Sequence, residues 1–284
     1  MKGVEVDIAN GVAIVTGASR GLGTYIAAAL AKKGAKLALA ARTEEDLKQT
    51  AKELERYGTE TITVTTDVTK RSDLQRLVRR TIDELGPPDV LVNNAGIEYY
   101  AHFHRMELDG IEAIIKANVI SLEWLTRLVI PSMIERRRGH VVNMASMAGK
   151  TAMPYNTVYS SSKHAVVGFT WSLREELRPY GVGVSAVCPT FVSEAGMYTE
   201  WSSEDPPSIV SLVSPDDVAA ATIRAIEKNR AEILVTKGLS RVVDVVHAIS
   251  PELTTATARR SGVYGYLSKA ATDYEKRKQH KGTN

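Results

Sequence analysis

The stretch "VAIVTGASRGLG", residues 12–23, changes character halfway. Its first half is short, apolar and rich in β-branched residues, as a buried strand is. Its second half carries glycines at 17, 21 and 23 and runs into the amphipathic stretch "LGTYIAAALAKK". Strand, glycine turn and helix follow one another without a spacer. Gly17 permits a tight turn, and Gly21 and Gly23 let backbone come close to a bound group. The helix that follows offers unpaired N–H groups and a partial positive charge, so the turn suits the pyrophosphate of a dinucleotide. Glycines also serve helix–strand packing, and the turn alone does not decide between the two uses.

Outward from this turn the same alternation repeats. Short β-rich runs at 36–41, 61–66, 89–94, 140–145, 182–188 and 232–236 join 12–17 to give seven expected strands, with helical stretches between them. Alternation of this kind predicts an α/β fold: one doubly wound domain on a seven-stranded parallel sheet. Residues 191–207 break the rhythm with Gly, Ser, Glu and two prolines and read as a mobile flap. Beyond Lys237 no strand is expected, so residues 1–237 form the main domain. Residues 238–284 form a helical extension ending in a basic, disordered tail, "YEKRKQHKGTN".

Composition narrows the function. A net charge of +3, spread along 284 residues, gives no basic face for nucleic acid. The single cysteine, Cys188, excludes an internal disulfide framework and fits a reducing, cytoplasmic setting. No apolar stretch has the form of a signal peptide or the length of a membrane span.

Three further motifs fall at strand ends, where open α/β sheets bind ligands. "TDVT" (66–69) follows the third strand and "NNAG" (93–96) the fourth. Ser146 follows the fifth, and thirteen residues later comes "YSSSK", Tyr159 to Lys163. TGxxxGxG after a strand, NNAG, and a serine ahead of YxxxK together resemble the short-chain dehydrogenase/reductase family over roughly residues 10–236. The combination is far more specific than any one motif. The resemblance implies a Rossmann-type fold with Ser146, Tyr159 and Lys163 as catalytic residues and Asn118 as a proton relay to the lysine. It implies cofactor contacts at Gly17, Ser19, Arg20, Gly21, Leu22 and Gly23 in the first turn, and at Asp67, Val68, Asn94, Ala95 and Gly96 at later strand ends. Tyr159 and Lys163 would also touch the cofactor, as would Pro189 and Val192 near the flap. The chain departs from the family pattern at Thr190, where glycine is usual, and at Glu194, where threonine is common, with Ser193 the nearest hydroxyl.

The residues support these roles independently. Val158, Ala165, Phe169, Leu173 and Leu177 mark a helical stripe that stops before Pro179, and Tyr159 and Lys163, at i and i+4, share a face. A cation about 4 Å from the phenolate is worth roughly 4 kcal/mol at an effective dielectric near 20, enough to lower a pKa near 10 by at most about three pH units. Tyr155, four residues earlier, is out of register with the serine and reads as a packing residue, with a place in the lining of the substrate pocket as the alternative. Asn118 lies on the stripe Ile111, Ile115, Leu122, Leu125 and Val129 of a helix over 108–134, and a buried amide needs partners.

At the end of the second strand, where an acidic residue would hold the ribose hydroxyls of NAD, stands Arg42. With Arg20 in the glycine turn it suits a 2′-phosphate, so the expected cofactor is NADP(H). Glu44 and Glu45 are explained by a helix start after Thr43 as N-cap. The expected function is hydride transfer between NADPH and a small-molecule ketone or secondary alcohol, with lipid or 3-oxoacyl substrates among the candidates. The competing reading is a non-catalytic NADP(H)-sensing or scaffold protein of the same fold. His102 and His104 lack a third ligand of suitable spacing, so no metal is expected. "RRRGH" (136–140) is what a helix C-terminus favours rather than a nucleic-acid site. After Lys237, Val242, Val245, Val246 and Ile249, and then Tyr264, Tyr266 and Leu267, need cover. A partner subunit in a homo-oligomer, dimer or tetramer, or a roof over the substrate pocket is favoured over a membrane surface.

Overall fold

In the computed structural model, which describes residues 7–194, 206–207, 210–238 and 240–281, all seven expected strands lie in one parallel sheet. They are β1 Val12–Thr16, β2 Lys36–Ala41, β3 Thr61–Thr65, β4 Val90–Asn93, β5 Gly139–Met144, β6 Val182–Pro189 and β9 Glu232–Val235. Their spatial order is β3-β2-β1-β4-β5-β6-β9, so the winding reverses between β1 and β4. A crevice opens at such a reversal beyond the carboxyl ends of the strands. Here it lies between the glycine turn after β1 and the NNAG segment after β4.

Alternation along β1 feeds two cores. Ala13 and Val15 pack with Ile26 and Leu30 of α1 (Leu22–Lys32), Leu47 of α2 (Glu44–Leu54) and Ile226 of α7 (Pro215–Glu227). Val12 and Ile14 pack with Leu77 of α3 (Arg71–Leu85), Val129 of α5 (Ser121–Arg136) and Leu173 of α6 (Thr157–Leu177). Both faces are therefore covered, which is why the strands read as continuous apolar runs. Each fully buried aliphatic side chain contributes about 1.5–3 kcal/mol, so the sheet is a rigid base for the loops at its rim.

Four details differ from expectation. The helix over 108–134 is α4 (Leu108–Ile115) joined to α5 through a π-helical turn, Lys116–Ile120, which contains Asn118. The wider turn shifts the buried face from Ile111 and Ile115 to Ile114, Ala117 and Asn118. On α6, Ala165 is exposed, and Val166 and Val167 are buried in its place. Within the expected flap, Phe191–Val192 form a short strand, β7, paired in parallel with β8 (Leu212–Val213). Most of the rest of 191–207 lies outside the described residues.

The tail expected to be disordered is helical as far as Lys281, within α10 (Val263–Lys281), while 282–284 lie outside the described residues. Leu267, Ala270 and Ala271 of α10 are buried against Tyr100, and Glu275 accepts the backbone N–H of His102 at 2.8 Å. Docking on the main domain, rather than local composition, orders this segment. In the chain between β9 and α10 come α8 (Ser240–Ile249) and α9 (Pro251–Arg260), where Val245, Ile249 and Leu253 remain exposed. No helix among the described residues is long and apolar enough to cross a membrane.

Candidate active site

The glycine turn is bare backbone. Gly17 has φ of +67°, a conformation that favours glycine. A Cβ on Gly23 would stand 2.0 Å from the Gly17 carbonyl oxygen, so no side chain fits where α1 meets the turn. No side chain caps α1 either, which leaves its first N–H groups to another partner. Asn94 pins this turn from the far side of the crevice: its Nδ2 donates to the Thr16 carbonyl at 2.9 Å and to that of Gly17 at 3.3 Å. The Thr16 hydroxyl accepts the N–H groups of Asn94 and Ala95, both at 3.0 Å. Thr16 thus fixes the crevice from beneath, a role its place at a strand end does not announce.

The Arg42 side chain is exposed just past β2, and Arg20 is exposed in the adjoining turn. The two segments are tied by the Ala18 N–H to the Ala40 carbonyl, 3.2 Å. Thr43 precedes α2 as expected, but its hydroxyl makes no capping bond. Glu44 instead pairs with Lys48 at 2.6 Å, whose hydrogen bond holds the carboxyl below its ordinary range. Asp67 closes its own turn by accepting from the Thr69 N–H and hydroxyl at 3.0 and 2.8 Å, and Val68 packs against the second core. At the other end of the crevice, Pro189 closes β6, and the Val192 side chain is buried in the first core.

Ser146, Tyr159 and Lys163 converge at the ends of β5 and β6. The Ser146 hydroxyl accepts the Ala148 N–H at 3.1 Å and donates to the Pro189 carbonyl at 3.5 Å. Tyr159 and Lys163 are both buried on α6, with the Lys163 Nζ 5.4 Å from the phenol ring centre. The ammonium donates to the Met144 carbonyl at 2.7 Å.

Electrostatics here overturn one expectation. Among the protein's own groups, burial pushes the Tyr159 phenol well above its ordinary range, and the carboxylate of Glu98 pushes it further up. The Ser146 hydroxyl pulls it back down by less than burial raises it. Lys163 is itself lowered to about 8 by burial, partly offset by Glu98 and Cys188. The sequence-based estimate placed a full cation about 4 Å away and left out the cost of burying both charges, which here is the larger effect.

Asn118 is fully engaged. Its Oδ1 accepts the Ile97 N–H at 2.8 Å, and its Nδ2 donates to the Ile97 carbonyl at 2.9 Å and to Ser162 Oγ at 3.0 Å. It clamps the strand that leaves β4 and does not touch Lys163. Gly96 passes between them, where a Cβ would lie 3.0 Å from Asn118 Oδ1 and 3.9 Å from Lys163 Nζ.

Tyr155, with φ of +64°, faces away from this chemistry: its ring meets His102 edge-on at 5.1 Å and packs in the cluster around Tyr100 and α10. His102 and Arg105 pair with Glu275 at 3.2 and 3.3 Å. Burial raises the Glu275 carboxyl, and the His102 and Arg105 hydrogen bonds outweigh it, leaving the group below its usual range. Among the described residues no three metal-ligating side chains gather. In the arginine run, Arg136 and Arg138 bind Asp89 at 2.6 and 3.2 Å, a structural use of those cations. Two site residues escaped the sequence reading, Glu98 and Asn156. Asn156 Nδ2 donates to the Glu98 carboxylate, tying the segment after NNAG to the head of α6.

A family model for short chain dehydrogenases matches residues 11–206. The chain belongs to the short-chain dehydrogenase family. This short-chain dehydrogenase is 39% identical over 263 residues to the ketoacyl reductase HetN of Nostoc sp., with 91% of each chain covered. It is 30% identical over 271 residues to estradiol 17-beta-dehydrogenase 11 of Rattus norvegicus, covering 92% of this chain and 89% of that one. Among solved structures it resembles a variant of actinorhodin polyketide ketoreductase determined with NADPH. The TM-score is 0.75 at 33% identity, with 83% of this chain and 98% of that chain covered.

Proposed function

We propose that this dehydrogenase is an NADPH-dependent carbonyl reductase acting on a ketone with a sizeable apolar substituent, of lipid or 3-oxoacyl type. The observation that carries the reading is the buried side chain of Tyr159 on α6, with the Lys163 Nζ 5.4 Å from its ring centre and Ser146 at the adjoining strand ends. A phenol that keeps its proton is a proton donor. The bare glycine turn and uncapped α1 fit a dinucleotide, with Arg20 and Arg42 toward the 2′-phosphate. Asp67, Val68, Asn94, Ala95 and Gly96 line the same rim, and Ser19 and Leu22 belong to the turn itself. NADPH, when bound, supplies the hydride.

The chain's residues then do the rest. Ser146 orients the carbonyl oxygen, Tyr159 gives that oxygen its proton, and Lys163, charged below about pH 8, favours the phenolate left behind. Asn118 holds the Ile97 peptide and with it the floor beside Lys163. Met153, Tyr155 and Phe191 cluster with Tyr100 and with Tyr264 and Tyr266 of α10, an apolar roof at this end of the molecule. Such a roof favours greasy substituents over small polar ones. The HetN and polyketide relatives support the same substrate class, and the dehydrogenase from rat keeps a steroid ketone among the options.

A panel containing a 3-oxoacyl thioester, a steroid ketone and a small polar ketone, followed by NADPH absorbance, tests this. The expected result is fastest turnover, by at least about tenfold in kcat/KM, on the apolar ketones, since a few buried methylenes at about 0.8 kcal/mol each suffice. Binding of NADPH with no oxidation on any carbonyl would favour the sensing or scaffold reading instead. Cofactor choice is tested separately: Arg42→Asp should weaken the preference for NADPH over NADH by roughly 10–100-fold, from about 1.5–3 kcal/mol for a charge-assisted contact. An unchanged ratio of the two dissociation constants would make Arg42 a surface residue only.

A further inference from the structure

Glu275 of α10 ties the last helix to the segment that follows β4. Its Oε1 accepts the backbone N–H of His102 at 2.8 Å, and the His102 Nδ1 lies 3.2 Å from the same oxygen. Its Oε2 accepts from Arg105 Nη1 at 3.3 Å. Glu275 is 18% exposed and His102 23%, whereas Arg105 is 62% exposed, so the His102 bonds carry the clasp and the Arg105 pair adds little. Packing beside the clasp is thin. A cleft of about 300 Å³, lined by Tyr99, Met106, Gly110 and Tyr274 as well as by Arg105 and Glu275, lies where the end of α10 faces residues 99–110. The Tyr99 and Tyr274 rings stand 6.5 Å apart there.

From His102 the contacts run on to the head of α6. The His102 ring meets the Tyr155 ring edge-on at 5.1 Å, and the N–H of Ala101 donates to the Tyr155 carbonyl at 2.9 Å. Tyr155 has φ of +64°, a conformation that a bulky side chain keeps only where its surroundings impose it. Asn156, next in the chain, immediately precedes α6 and donates to Glu98, so the turn is joined to residues 98–102 at more than one point. Met153 and Tyr155, which sit with Tyr100 in the apolar roof, thus share one support with α10.

We propose that Glu275 is a positioning residue that sets substrate preference: its clasp on His102 keeps α10 closed on the Tyr100 cluster and holds the Tyr155 turn, and so maintains the roof over an apolar ketone. The substrate half of this inference rests on the carbonyl-reductase reading and the clasp does not, so Glu275 is varied both with turnover and without it. Alanine favours the helix and leaves Leu267, Ala270 and Ala271 in place, so Glu275→Ala keeps α10.

In the first arm, kcat/KM is measured for a long-chain 3-oxoacyl thioester and for a small polar ketone in wild type, Glu275→Gln and Glu275→Ala. The ratio of the two values should fall about tenfold in Glu275→Ala, the discrimination that one methylene supplies in an apolar pocket. The fall should come through KM for the thioester, with the NADPH dissociation constant unchanged. Glu275→Gln, whose amide oxygen can still accept the His102 N–H, should recover most of the ratio. Equal losses on both substrates, or an unchanged ratio, mean that the clasp only stabilises the fold, and either result overturns the proposal.

In the second arm, amide hydrogen exchange at Ala101 and His102 is followed in the same three proteins without substrate. Both amides should exchange about tenfold faster or more in Glu275→Ala, the worth of a hydrogen bond to a charged group. An unchanged rate at Ala101, whether or not His102 speeds up, means that the clasp does not reach the Tyr155 turn, and the proposal falls. Wild-type protein that reduces no ketone would remove the reductase reading and leave this arm to decide the clasp.

Discussion

Replacing Tyr159 by phenylalanine should lower kcat for ketone reduction by about 10²–10⁴-fold, the range that a positioned general acid supplies. The variant loses one oxygen atom from a buried ring. The ring itself packs as before, and Lys163 keeps its bond to the Met144 carbonyl. The NADPH dissociation constant should therefore change by less than about threefold, because no packing is lost with the oxygen. Tyr155→Phe is the matched control: it removes the same atom from a ring that meets His102 and the α10 cluster. Stopped-flow turnover and fluorescence titration of NADPH measure the two quantities separately. Similar losses of kcat in the two variants, or a Tyr159→Phe effect below about tenfold, would remove Tyr159 from the proton-donor role.

Gly23→Ala should cost more than a methyl group usually does. Its Cβ would fall 2.0 Å from the Gly17 carbonyl oxygen, 2.7 Å from the Gly17 carbonyl carbon and 2.9 Å from the Ala18 Cα. All three are backbone atoms, so no side-chain rotation relieves the clash. Either α1 or the turn must move by about an ångström, and overpacking of that kind costs at least about 1–3 kcal/mol. The same movement misaligns the N–H groups at the head of α1, so NADPH affinity should fall by about 100-fold or more. Gly168→Ala gives the opposite sign: that glycine is exposed on α6 and an added Cβ meets nothing within 4 Å. It should stabilise the protein by up to about 1 kcal/mol, the helix-propensity difference. Thermal unfolding alongside cofactor titration checks both, and a Gly23→Ala variant that melts and binds like wild type would refute the steric account.

The parts of this molecule that were legible in the chain are those fixed by local rules. The seven strands announced themselves because a sheet covered on both faces needs apolar residues at every position, as in Val12 to Val15. The pairing of Tyr159 with Lys163 followed from four-residue spacing alone. What could not be read depends on segments far apart in sequence. Glu98 sits in "IEYY", which has no period. Its neighbour Asn156 is 58 residues away. The π turn shifted the buried face of one helix by inserting a wider loop of backbone, and side-chain spacing carries no mark of it. The expected tail failed for a related reason: Leu267, Ala270 and Ala271 make a modest apolar stripe until Tyr100 is brought against it. The lowering of the Tyr159 pKa failed because spacing reports which charges are near and says nothing of how dry the place is.

The docking of α10 also bears on the order in which the protein matures. The glycine turn, the NNAG segment and the Tyr159 helix all precede β9, so a nascent chain can close its dinucleotide crevice once that strand is in place. The apolar roof under Val263–Lys281 comes later in synthesis. A chain caught between those two moments would leave Tyr100 without the cover of Leu267, Ala270 and Ala271.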